Sequence, residues 1–341
     1  MSGQKRGEST EQTHISYFLD DIRYQGKSER TQAAYERVLS DFKEYLASRS
    51  LTLESANHRD CMAYIHQLRG DVASSTVATY ASYLHRFYDY MTRVDAFEDN
   101  PMAIVVEELD ESINTDPTRR DISIEAMHSF VETLSHPLDR AVILTLLKTG
   151  IRAGELCNLD IRDISLSSSP IEGSHRPRLD GRRDSMYVDS APAQGVTYNG
   201  EKRAASNKRK RATTIPVDGE LADVLREWLA IRPDPISDAS PLFVSVSDEW
   251  GRRISPAIVH HLVETHARDF GWYRAGGGPE ENVTPHYFRH FFTTHLRDRT
   301  GDRGVVKYLR GDVAKDVIDT YTHDWGNRVR EEYEKNIYSL I

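Results

Sequence analysis

Apolar residues recur at helical spacing over most of the first hundred positions. Ile15, Phe18, Leu19 and Ile22 form one stripe, and Tyr35, Val38, Leu39, Phe42, Tyr45 and Leu46 form a second. These predict two amphipathic helices, the second opened by a cap at Ser28 or Thr31. A third helix is expected over about 59–68, and a fourth from Ser75 carries Val77, Tyr80, Leu84, Phe87, Tyr88 and Met91. Aromatic stripes of this kind are assigned to core packing rather than to base stacking. Residues 1–12 are polar and Gly/Ser-containing and are expected to be disordered. Asn100-Pro101 is read as closing a helical domain over 13–105, and the acidic, weakly periodic run 106–117 as an exposed linker.

A second domain is expected over 118–341. Its first helices are ISIEAMHSFVETL and PLDRAVILTLLKTG, stopped at Gly150 and followed by a further helix in IRAGELCNLDIRDI. Between 164 and 216 the pattern turns to strands and loops. SMYVDS and ATTIPV are the strand candidates, joined by a long segment ending in Lys208, Arg209, Lys210 and Arg211. A helix around 221–229, a short strand PLFVSV, a helix ISPAIVHHLVETHARDF and a loop at Gly276–Pro279 complete the order, with no internal repeat.

Composition adds mostly exclusions. The formal charge of -9 and pI near 5.9 give bulk charge no part in nucleic-acid binding, which rests on local patches, and the strongest patch is 208–211. Two cysteines, Cys61 and Cys157, without a CxxC pair argue against a disulfide framework and a thiolate zinc site. The N-terminal stretch has no apolar h-region, and no apolar run reaches membrane-spanning length, so a soluble, intracellular (cytoplasmic) protein is expected.

The stretch 284–321 carries the candidate chemistry. Thr284 followed by Pro285 reads as a helix cap and first residue. His286 and Arg289 then share a face near unpaired amides, a geometry that suits an anion. Arg152 sits just past Gly150, where the chain re-enters a helix, and Glu155, three residues on, is placed to brace it. A His/Arg pair on a helix is by itself an ordinary solvated face; the company of the other cationic positions changes the reading. A zinc reading of His286 and His290, four apart with His295 following, lacks an acidic partner and is the weaker one. His290 and His323 are instead assigned supporting hydrogen bonds or packing. No Walker loop, paired-carboxylate magnesium site or HExxH motif occurs, so no metal and no cofactor is expected.

Taken together, TGIRAGEL, PHYFRH and the tyrosine of DTYTH resemble the first-arginine motif, the His-x-x-Arg box and the nucleophile motif of the tyrosine recombinases. These include phage-type integrases and the Xer recombinases that resolve chromosome dimers. The resemblance spans nearly the whole chain. It implies a mainly α fold: a helical SAM-like core-binding domain plus an α+β catalytic domain with a small antiparallel sheet. It carries catalytic roles to Arg152, His286, Arg289 and Tyr321. Family spacing back from Pro216 selects Lys208 as the catalytic lysine, with Lys210 and then Lys202 as alternatives. One position departs: where the family usually has histidine or tryptophan, this chain has Asp312, whose ionised carboxylate cannot donate to a phosphate. Asp312 is left to orient an arginine or Tyr321, or to share a proton.

The chemistry suits these residue types. Two forked guanidiniums stabilise charge building on the phosphoryl oxygens. A phenol titrating near pH ~10 needs cations or a base, with His286 first and Asp312 second for that proton, and a lysine protonates the departing 5′ oxygen. The expected activity is site-specific DNA cleavage and rejoining through a 3′-phosphotyrosyl intermediate, without metal or ATP. Double-stranded DNA is the expected partner, contacted also by Lys208, Arg209, Lys210 and Arg211. The resemblance further implies a tetramer on two DNA sites, a monomer or weak oligomer when free, and a C-terminal helix, REEYEKNIYSLI, docked on a neighbouring subunit. Rival readings are type IB topoisomerase-like relaxation, a catalytically lapsed sequence-specific DNA-binding protein, and a helical protein unrelated to DNA.

Overall fold

The chain divides into two units, Met1–Pro117 and Thr118–Ile341. The computed structural model describes residues 4–112, 118–167, 176–205, 207–247, 249–312 and 325–341, with backbone alone at 4–12, 325 and 326. Tyr321 and His323 lie outside the described residues.

Among the described residues the first unit is five helices: α1 (Gln4–Tyr24), α2 (Glu29–Ala47), α3 (His58–Asp71), α4 (Ser74–Arg93) and α5 (Met102–Glu107). Helix α2 is capped as its sequence predicts, Ser28 Oγ accepting from Thr31 N at 3.3 Å. Helix α3 opens on a reciprocal box in which Asn57 Oδ1 accepts from Arg59 N and Asp60 Oδ2 from Asn57 N, at 2.9 and 3.0 Å. The aromatic stripes point inward: Phe18, Phe42, Phe87 and Tyr88 are buried in one cluster, with Phe18 and Phe87 edge to face. One expectation changes, while helix α1 itself starts at Gln4. Asn100-Pro101 opens α5 instead of closing the unit: Asn100 Oδ1 accepts from Met102 N at 3.0 Å, and Met102 and Val105 return to the same core.

The second unit opens with α6 (Ile124–Glu132), α7 (Pro137–Thr149) and α8 (Ala153–Cys157). Strands β1 (Ile164–Ser165), β2 (Ser185–Val188), β3 (Thr197–Tyr198), β4 (Glu201–Lys202) and β5 (Thr213–Pro216) follow. The chain then runs through α9 (Gly219–Ile231), α10 (Pro256–Asp269), α11 (Pro285–Thr300), α12 (Arg303–Arg310) and α13 (Trp325–Asn336). β1, β2 and β5 form an antiparallel sheet with Met186 opposite both Ile164 and Ile215, and β3 and β4 form a separate hairpin. Helix α7 is buried on all sides over its last nine residues, so it is the central helix, with α9 and α11 against it.

Two expectations are revised here. The helix read into IRAGELCNLDIRDI is only five residues long as α8. Leu159, Asp160 and Asp163 past its end are buried, and Asp160 is tied into a side-chain network that a continuous helix would not reach. PLFVSV is not a strand: it makes isolated bridges, Asp160 with Pro241 and Val244 with Arg253, and Leu242, Phe243 and Val244 are buried in succession without alternation. Finally, the C-terminal residues pack into their own unit. Tyr338 Oη donates to Leu147 O at 2.5 Å, Tyr333 Oη donates to Lys148 O at 2.9 Å, and Leu340 is fully buried. The aromatic residues of this segment satisfy their hydroxyls on α7 of the same chain.

Candidate active site

The site grows from two helix ends. Helix α7 stops at Gly150 and α12 at Gly311, both left-handed, with φ of 63° and 69°. Helix ends of this kind leave carbonyl oxygens pointing outward at the negative end of the dipole. Arg289, on α11 and only 2% exposed, uses them: Nη1 donates to Gly150 O at 2.6 Å and Nη2 to Arg310 O at 3.1 Å. Its buried guanidinium is therefore held in one place by main chain from two elements.

Arg152 lies just beyond the same glycine. Its amide donates to Glu155 Oε2 at 3.1 Å, and its Nη1 to Glu155 Oε1 at 2.8 Å, so the bracing expected from their spacing is present. Glu155 is itself buried, and the other cation at its carboxylate is Arg209, at 3.6 Å. Arg209 also donates to Thr213 Oγ1 at 2.8 Å and, through Nη2, to Leu309 O at 3.0 Å. Arg209 is 3% exposed and turned inward to Glu155, Thr213 and Leu309 O, unlike the rest of its basic run. Within the same run Lys208 and Lys210 are exposed and Arg211 half-buried.

The segment bearing Lys208 is anchored rather than loose. Arg203 and Arg253 both pair with the buried Asp160, at 2.9 and 2.6 Å, and Arg253 also reaches Glu201 at 2.7 Å. The Tyr198 ring lies under the guanidiniums of Arg162 and Arg203, at 4.7 and 4.9 Å. Asn207 donates to Asp189 O and accepts from Arg209 N at 2.7 Å, so both neighbours of Lys208 are fixed while its own side chain reaches solvent. The alternative Lys202 is exposed on β4.

Asp312 is the hub that spacing alone does not reveal. Its carboxylate accepts from Arg152 Nη2 at 3.0 Å, from Arg289 Nη2 at 2.9 Å, and pairs with Arg310 Nη2 at 2.9 Å. Burial works against ionisation, but the charges of Arg289, Arg310 and Arg152 outweigh it and hold the carboxyl below its usual range. Burial, with repulsion from Arg152 and Arg310, brings Arg289 down to about 10, still cationic at neutral pH. Sequence reasoning missed Arg310; its signal was a charged residue at a helix end two positions before the departing one.

His286 lies in the first turn of α11 and is exposed. Desolvation, then the positive charges of Arg119, Arg289, Arg152 and Arg310, push its imidazole below 6.5, so it is neutral at pH 7. Thr284 holds the cap position, but its side chain makes no cap hydrogen bond; its carbonyl accepts from Tyr287 N at 2.8 Å. His290 sits edge-on to the Tyr287 ring, 6.2 Å between centroids, and His295 Nε2 lies 3.1 Å from Ile122 O. Among the described residues no three His, Cys, Asp or Glu side chains are grouped to hold a metal ion, and no helix is long and apolar enough to cross a membrane.

The profile of the phage integrase family matches residues 121–328, and that of the phage integrase N-terminal SAM-like domain matches residues 15–94. The chain belongs to the phage integrase family. Among curated relatives of this phage integrase, the tyrosine recombinase XerC of Pelobacter propionicus is 25% identical over 312 residues, 90% of this chain and 89% of the relative. XerD of Shewanella oneidensis is 24% identical, covering 94% and 95%. Among solved structures, the Tn1549 transposon integrase in complex with transposon right end DNA superposes with a TM-score of 0.65 at 18% identity, over 94% of this chain and 98% of that one. A lambda integrase tetramer bound to a Holliday junction gives 0.61 at 14% identity, over 94% and 83%. The integrase fold is thus shared in both units, and the protein is a tyrosine-type site-specific DNA recombinase.

Proposed function

We propose that Arg152 and Arg289 grip the scissile phosphate of a duplex DNA site while Tyr321 attacks it. The observation that carries this reading is the meeting of those two arginines, 137 positions apart, on one carboxylate at 3.0 and 2.9 Å. An anion already binds between them, and a phosphodiester is the anion the family handles. The phenolic oxygen of Tyr321 forms the new bond to phosphorus as the bond to the 5′ oxygen breaks, leaving a 3′-phosphotyrosyl linkage. The neutral imidazole of His286 takes up the phenol proton, and Lys208 gives one to the departing 5′ oxygen. Reversal with a different 5′ hydroxyl rejoins the strand, and no outside energy source enters because the phosphotyrosyl bond retains that of the broken linkage.

Guanidinium forks aimed where the phosphoryl oxygens gain charge stabilise the transition state more than the ground state. Lys208, Lys210 and Arg211 add phosphate contacts along the duplex. The assembled form is a tetramer on two sites, with monomer or weak oligomer in free solution, acting on DNA in the cytoplasm. The test is adduct trapping: purified protein is mixed with nicked duplexes tiling the gene's own chromosomal flanks and denatured in detergent. Wild type yields a protein-linked strand at one sequence and Tyr321→Phe yields none. Adducts persisting in the phenylalanine variant remove Tyr321 from its role, and specific binding without any adduct favours a lapsed enzyme.

A further inference from the structure

The Asp312 carboxylate is surrounded by three guanidiniums, and only two of them have a part in the reaction so far. Arg310, the last residue of α12, is the third. Its Nη2 lies 2.9 Å from Asp312 Oδ2, while its Nε is buried with no hydrogen-bond partner among the described residues. A buried guanidinium N–H without an acceptor is costly, and an acceptor entering beside it relieves that cost.

Charge accounting points the same way. Arg152, Arg209, Arg289 and Arg310 bring four positive charges to the cluster, against Glu155 and Asp312, so two positive charges are in surplus. Glu155 works from behind, fully buried between Arg152 and Arg209, whereas Asp312 stands on the open side with its side chain 34% exposed. Arg152 and Arg310 reach the same opening, 30% and 28% exposed. The anion on the solvent side is therefore exchangeable and the one at the back is not. A carboxylate and a phosphodiester each present two oxygens to forked donors, so one can stand where the other does.

We propose that Arg310 is a third catalytic guanidinium on the scissile phosphate, and that Asp312 holds the three arginines in place until the phosphate replaces it. The donor absent from position 312 is supplied from position 310. When the carboxylate swings out, the cluster carries three positive charges in surplus, and the doubly charged transition state gains more from that surplus than the singly charged substrate. The catalytic part rests on the recombinase reading; the anion site does not.

Two measurements separate them. Inorganic phosphate is titrated into the DNA-free chain by calorimetry. Asp312→Asn is expected to bind phosphate about tenfold more tightly than wild type, since a competing anion is gone, and Arg310→Gln in that background to lose the gain. Arg310→Lys keeps the charge without the fork and is expected to fall between. Equal phosphate affinity with and without Arg310 overturns the proposal. Cleavage is then followed on the trapped duplex, with either a phosphodiester or a neutral methylphosphonate at the scissile position. Arg310→Gln is expected to slow the phosphodiester by about 10²–10³-fold and the methylphosphonate by far less, because less charge needs neutralising. An equal loss on both linkages marks a structural role and sinks the catalytic one. Phosphate binding through Arg310 in a wild-type chain that never forms an adduct upholds the anion site and rejects the recombinase reading.

Discussion

Arg289 donates to the carbonyl of Gly150 across 2.6 Å, and this bond seats the arginine of α11 on the end of α7. The same glycine stands two residues before Arg152, so one turn of main chain sets the position of both arginines. Small changes at this turn are expected to reach the chemistry without touching a catalytic side chain.

Gly150→Ala is the sharpest such change. A Cβ there meets Phe292 Cδ1 at 2.3 Å, on a backbone with φ of +63°. Left-handed strain and overpacking together are expected to cost about 2–4 kcal/mol in urea unfolding. A loss below about 0.5 kcal/mol would show that the turn relaxes freely.

Glu155→Gln tests the rear of the site. Its carboxylate serves Arg152 and the buried Arg209, so neutralising it leaves Arg209 without its facing charge. Breaking a buried pair from one side costs about 3–5 kcal/mol, and a midpoint drop of that size is expected in denaturant titration. An unchanged midpoint would mean that Thr213 and Leu309 O suffice to hold Arg209.

The basic run 208–211 divides by burial. Alanine at Lys208, Lys210 or Arg211 is expected to weaken DNA binding and to lower the slope of log affinity against log salt by about 0.9 for each phosphate no longer neutralised. Arg209→Ala is expected to leave that slope alone and lower the melting temperature instead, because its guanidinium holds Thr213 and Leu309. A salt slope that changes at Arg209 in a stably folded variant contradicts its inward placement.

The depressed pKa of His286 has a defined direction. Because the folded value lies below the 6.5 of the unfolded chain, the unfolded form takes up a proton first as pH falls. Stability is expected to decline from pH 6.5 down to the folded value, and cleavage to lose the neutral imidazole only below 6.5. His286→Gln should flatten both limbs, read as melting temperature and adduct rate against pH. An adduct-rate limb centred above 6.5 would be inconsistent with the cationic surroundings.

Lys148 tests the docked C-terminus. Its buried Nζ joins Asp218 at 2.6 Å, Glu220 at 2.7 Å and Tyr338 O at 2.5 Å. Lys148→Met leaves two carboxylates facing each other and is expected to free residues 337–341 to carboxypeptidase, with about 3–5 kcal/mol lost. Wild-type resistance to the protease in that variant would refute the coupling.

The amino-acid sequence alone determined the helices with strong periodicity, such as α2 and α4, whose buried residues coincide with the stripes read along the chain. It also put His286 and Arg289 on one helix face and Glu155 beside Arg152, because a spacing of three is local and survives in one dimension; the roles given to these residues and to Tyr321 came from the family resemblance. It did not determine which way the charges face. Arg209 reads like its neighbours in a basic run, yet it points inward because Leu309 O, a hundred residues on, accepts from it. Asp312 reads as a departure from a motif, and only the convergence of Arg152, Arg289 and Arg310 makes it a hub. The pairing of Arg203 and Arg253 with Asp160 spans 43 and 93 positions and anchors the long segment that joins the two strand candidates. Apolar periodicity records which face of an element leaves water, a property of neighbouring residues; ion pairs form between groups brought together by folding, so their partners were decided by the tertiary structure.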